Sequence, residues 1–95
     1  MEVSVDGRRV FAATGGRPFD PAQAPVVLLH GAGMDHTAWG LQTRWLAHHG
    51  RSVLAVDLPG HGRSEGPGIG TIPALGQWVL ALLDALGADR AGIAG

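Results

Sequence analysis

The stretch VVLLHGAGMDHTAW, Val26 to Trp39, decides how the rest of the chain is read. Val26 to Leu29 is apolar without alternation, which suits a strand covered on both faces, as in a parallel sheet. Gly31 and Gly33 around Ala32 then make a turn, and a helix is expected over about Thr37 to His49, with Asp35 or Thr37 as its cap and Gly50 as its stop. A glycine-rich turn between strand and helix aims backbone N–H groups at negative charge. That charge is either a bound pyrophosphate or an oxyanion that exists only during a reaction.

Outward from this turn, VLAVD at Val53 to Asp57 reads as the next buried strand, so 26–57 is one strand–helix–strand unit. Upstream, Val3 and Val5 alternate with polar neighbours, Asp6-Gly7 is a favoured hairpin turn, and Arg9 to Ala13 returns, which makes a hairpin over 1–13. Residues 14–25 are turn chemistry and connect it to the unit. Downstream, 58–70 contains PGHGRSEGPGIG, and a glycine loop of that length in a compact domain has work to do or is mobile.

A second helix is expected over 71–87, capped by Thr71, with Pro73 in its first turn and Gly87 at its end. Its apolar stripe is Ile72, Leu75, Val79, Leu82 and Leu86, widened by Trp78, Leu80 and Leu83. AGIAG, 91–95, reads as another short buried strand. The whole is an α/β pattern, an antiparallel hairpin followed by parallel strands with flanking helices. Ligands of such sheets bind outside the carboxyl ends of the strands, so His30–Gly33, Asp57–Ser64 and the end after Gly95 should share one crevice.

Composition narrows the chemistry. Ninety-five residues with 45% hydrophobic content suit one small domain or part of a larger one. The formal charge is −1, with seven arginines, no lysine and no run of like charge, which argues against a nucleic-acid surface. No cysteine is present, and the five histidines fall in no metal-ligand spacing, so neither a metal nor another cofactor is expected. Glu2 and Asp6 stand where a secretory signal needs an apolar core, and no apolar run is long enough to span a bilayer. The expectation is a cytoplasmic protein without a membrane partner, and the arginine-only basic set among many alanines and glycines points to a bacterial source.

The two meanings of the turn separate on neighbouring residues. A dinucleotide fingerprint needs its third glycine at position 36, where His36 would obstruct close packing over a pyrophosphate, and Pro59-Gly60-His61-Gly62 has no role in that fold. A phosphate-binding P-loop needs a lysine. HGAG ending one strand and DLPGHGRS, Asp57 to Ser64, ending the next resemble together the α/β-hydrolase superfamily, over essentially the whole chain.

That resemblance implies an oxyanion hole with the N–H of Ala32 as donor and Gly33 as its neighbour and fallback. It implies that Gly95 opens the nucleophile elbow, so that nucleophile, acid and base all lie beyond it and these residues alone are inactive. The fifth strand would end the sheet as an open apolar edge, so these residues alone are also expected to self-associate. The substrate of the complete enzyme is then a small molecule, an ester, lactone or similar carbonyl. Dehalogenases, epoxide hydrolases, haloperoxidases and cofactor-free oxygenases share this front half; Ala32 leans against the first. The rival class is a non-catalytic binding or interaction module of the same fold.

Blander roles are assigned beside the sharp one. Asp57 is expected to accept backbone N–H bonds from its loop, and Ser64 to fix that loop. His30, Gly31, Gly60, His61 and Gly62 are expected to shape the crevice loops. His36 and Trp39 are the candidates to line the pocket.

Overall fold

The computed structural model describes residues 1–95. Its strands are β1 (Glu2–Val5), β2 (Arg8–Ala13), β3 (Val26–Leu29), β4 (Val53–Val56) and β5 (Gly92–Ala94). They form one five-stranded sheet in the order β1-β2-β4-β3-β5. The β1–β2 hairpin turns through Asp6 and Gly7 at φ 51° and 77°. Two positive φ values in a two-residue loop give the turn whose twist matches the strands, and aspartate tolerates that region better than most side chains. β2 runs antiparallel to β4, whereas β4 and β5 both run parallel to β3.

A 3₁₀ turn, His36–Trp39, leads into helix α1 (Gly40–His48), and helix α2 spans Ile72–Leu86. Asp35 caps the first, accepting from the Thr37 N–H, and Thr71 caps the second, accepting from the Ala74 N–H. The two helices cover opposite faces of the sheet. Val27, Leu54 and Val56 pack with Trp78, Val79 and Leu82 of α2, while Leu28, Val53 and Ala55 pack with Ala47 of α1. Alternate residues of each apolar run therefore go to different faces, which is why neither run alternates in polarity. Burying each of the larger α2 side chains contributes about 1.5–3 kcal/mol.

Three expectations about burial are corrected. On α1 the side carrying Leu41 and Trp45 faces outward, at 83% and 59% exposure, and Thr43 and Ala47 face inward. A Cβ at Gly15 would lie 2.5 Å from the Thr43 carbonyl oxygen and 2.7 Å from the Ala47 Cβ. The connection thus presses its backbone onto α1, and only small side chains on that helix face permit the approach. On α2, Ile72 and Leu80 lie outside the buried stripe, at 79% and 64% exposure. β5, read as a buried strand, is exposed at all three residues, at the sheet edge where it was expected and paired with β3 alone. No helix is long and apolar enough to cross a membrane.

Candidate oxyanion site

β3 and β4 are parallel neighbours in register, Leu29 beside Val56, so the segments that follow them begin side by side. The first closes a turn by donating the Met34 N–H to the Gly31 carbonyl at 3.1 Å. The second closes two, His61 N–H to Leu58 carbonyl at 2.9 Å and Ser64 N–H to His61 carbonyl at 3.0 Å. Gly95 falls beside Leu29 at the same edge of the sheet, where a Cβ on it would lie 3.2 Å from the Leu29 Cβ.

Two imidazoles tie the loops together. His30 accepts the Leu58 N–H on Nε2 at 3.0 Å, with its Nδ1 2.7 Å from the Gly31 carbonyl. His61 accepts the Gly33 N–H on Nε2 at 3.2 Å, with its Nδ1 3.1 Å from the Pro59 carbonyl. A ring nitrogen that accepts an N–H carries no proton, so this network assigns the proton of both neutral rings to Nδ1. The rings lie 5.0 Å apart, tilted by 55°.

Asp57, with none of its surface exposed, anchors the second loop. Its Oδ1 accepts the His36 N–H at 2.7 Å and lies 2.9 Å from the His36 Nδ1, and its Oδ2 accepts the Arg63 N–H at 2.9 Å. Burial alone would raise its pKa; the N–H bonds from Arg63 and His36, and then the His36 ring, outweigh it and hold the carboxyl below the usual range. Ser64 donates its hydroxyl to the Asp57 carbonyl at 2.6 Å and accepts the Phe11 N–H at 2.9 Å. Asp35 is also held below its usual value, by the Thr37 hydroxyl and then the Thr37 N–H.

Against this framework the turn at 31–34 stands out. The N–H groups of Gly31 and Ala32 meet no acceptor in the chain, whereas that of Gly33 is taken by His61. The N–H of Gly33, expected as the fallback donor, is bonded to the His61 ring in this structure. Ala32 lies at a cleft of about 290 Å³ whose walls include His30, Leu58, Pro59, Ile69 and Leu75. An uncommitted amide beside a largely apolar hollow suits a carbonyl oxygen as it gains charge.

Residues 26–95 match the model of the "Alpha/beta hydrolase family". The chain belongs to the alpha/beta hydrolase family. Among its relatives, a pimeloyl-[acyl-carrier protein] methyl ester esterase of Klebsiella pneumoniae is 47% identical over 58% of the chain and 21% of its own length. A putative non-heme haloperoxidase of a Mycobacterium phage is 37% identical over 98% of the chain and 32% of its own length. The enol-lactonase of Burkholderia xenovorans superposes with a TM-score of 0.76 at 34% identity, over 98% of the chain and 35% of its own. The chain thus spans between 21% and 35% of these alpha/beta hydrolases.

In this alpha/beta hydrolase chain the two residues expected to line the pocket have other partners. His36 is bound to Asp57 and packs 5.0 Å from the Phe11 ring. Trp39 donates its indole N–H to the Leu29 carbonyl at 3.0 Å and packs on the α1 side of the core. The His36–Asp57 pair went unread in the sequence, although an acid ending β4 and a residue leading the helix after β3 must meet at one sheet edge. Asp35, His36 and Asp57 offer ligand atoms within 4.8 Å of one another. Asp57 already accepts from His36 and Arg63, and both groups of Thr37 bond Asp35 through one oxygen, Oδ1. Of the serines, Ser52 is bonded to Asp20, Ser64 to Asp57 and Phe11, and Ser4 lies on β1.

Proposed function

We propose that residues 1–95 form the oxyanion side of a serine-type hydrolase, bacterial and cytoplasmic, that acts on an ester, lactone or similar carbonyl and needs no cofactor. The observation that carries this reading is the unspent N–H of Ala32 at the cleft, next to a Gly33 N–H that is spent. As the carbonyl carbon is attacked, its oxygen becomes an alkoxide, and a fixed amide donor stabilises that charge without reorganising. The names of the methyl ester esterase and the enol-lactonase both denote ester carbonyls, which supports the substrate class. Ser64, the serine of the crevice loops, spends its hydroxyl on the Asp57 carbonyl and the Phe11 N–H, so the nucleophile and, by the family's order, the acid and base are assigned outside these residues, and residues 1–95 alone should not turn over substrate.

Ala32→Pro in the full-length gene product is the test. Ala32 is the second residue of the turn closed by Met34 and Gly31, and Gly33 follows at φ 79°. Proline then glycine is the preferred pair for such a turn, so the substitution deletes one hydrogen and spares the shape. Turnover of p-nitrophenyl acetate should fall by roughly 10²–10³, or about 2.7–4 kcal/mol of transition-state stabilisation. Unchanged turnover rejects the assignment. A wild-type protein inert to esters favours the non-catalytic binding module instead.

A further inference from the structure

His61 is not needed to close its own loop, because its backbone and that of Ser64 do so. Its ring instead reaches the other loop and takes the N–H of Gly33, one residue past the proposed donor. We propose that His61 is a positioning residue for the oxyanion site, a role that rests on the hydrolase reading above. Gly31, Ala32 and Gly33 present three successive amides, and of these only the third has an acceptor in the chain. By engaging the third, His61 pins the turn against the 58–64 loop and sets the direction of the Ala32 N–H, to which it is joined through a single residue.

The device depends on which nitrogen carries the proton. With Nδ1 directed to the Pro59 carbonyl, Nε2 is left as an acceptor. A second proton, on Nε2, would set N–H against N–H and release Gly33. The His30 imidazole, itself an acceptor for Leu58, lies 5.0 Å from the ring, and Asp35 is on the wall of a recess of about 480 Å³ that His61 and Gly33 also line.

The test compares His61→Asn with His61→Gln in the full-length protein. Asparagine can still donate to the Pro59 carbonyl but is too short to meet Gly33, whereas the glutamine oxygen reaches the place of Nε2. Hydrogen exchange of the Gly33 amide, read by ¹⁵N NMR at pH 8, should quicken about tenfold in the asparagine variant and recover in the glutamine one. The kcat for p-nitrophenyl acetate should fall about tenfold in the first, with KM unchanged, and recover in the second. Independently of any variant, long-range ¹H–¹⁵N spectra of the wild type should show His61 protonated on Nδ1. Protonation on Nε2, Gly33 exchange indifferent to asparagine, or equal kcat in wild type and the asparagine variant overturns the proposal. Gly33 exchange that responds to the asparagine substitution, in a protein whose wild type has no esterase activity, overturns it through the hydrolase reading alone.

Discussion

Gly62→Ala should be among the most damaging single-methyl additions this chain can receive. Gly62 has φ 50°, and a Cβ on it would collide with the Asp57 carboxylate, reaching both oxygens and the carbon between them. Two costs add. The left-handed backbone costs an alanine about 1–2 kcal/mol. The carboxylate cannot retreat, since it is fully buried and held by His36 and Arg63; displacing it forfeits charge-assisted hydrogen bonds of about 1.5–3 kcal/mol each. A total of about 2.5–5 kcal/mol is expected if one such bond is lost.

Gly16→Ala is the control, because Gly16 has φ 86° with nothing within 4 Å of its would-be Cβ. It pays the backbone cost alone, about 1–2 kcal/mol. Urea unfolding followed by the fluorescence of buried Trp78 measures both. Equal midpoints for the two variants would mean that the collision with Asp57 has no energetic weight, and the account of that loop would fall.

Two further outcomes are expected. Because the Asp57 pKa is lowered by folding, the ionised carboxylate stabilises the chain fully above the ordinary carboxylate range, and that contribution is lost as pH falls through the depressed folded value. Asp57→Asn should therefore cost about 1–3 kcal/mol at pH 7 and flatten the acid limb of stability, which unfolding at pH 7 and at pH 3 resolves; an unchanged acid limb would place the titration elsewhere. Residues 1–95 taken alone, with Leu41, Trp45, Ile72, Leu80 and Ile93 exposed and β5 at an open edge, should associate at micromolar concentration. Sedimentation of Leu80→Arg with Ile93→Lys should shift toward monomer, and a monomeric wild type would contradict this.

The alternation of strands and helices was legible because the residues that punctuate it are local. Asp6-Gly7, the caps Asp35 and Thr71 and the stops Gly50 and Gly87 act within a few positions of themselves. The direction of α1 was not legible. Leu41 and Trp45 look like a core stripe, and only the distant approach of Gly15 shows that small residues are wanted on the inner face. The site divides in the same way. The turn at 31–34 announces a donor through its glycines, but which amide is free depends on an imidazole 28 positions later. His36 was equally ambiguous, since its partner Asp57 lies across the sheet edge.

The glycine loop after β4 is laced to the amino-terminal hairpin. Ser64 holds the Phe11 amide across 53 positions, and Glu65 holds that of Arg9 across 56. Such ties join segments whose ends must first be gathered by the strand–helix–strand unit between them, and closing so long a stretch of chain costs entropy before any bond repays it. The crevice is therefore expected to form after the central strands. Lesions in β2, remote from any reacting atom, should leave a chain that has acquired its central strands yet still lacks a finished pocket.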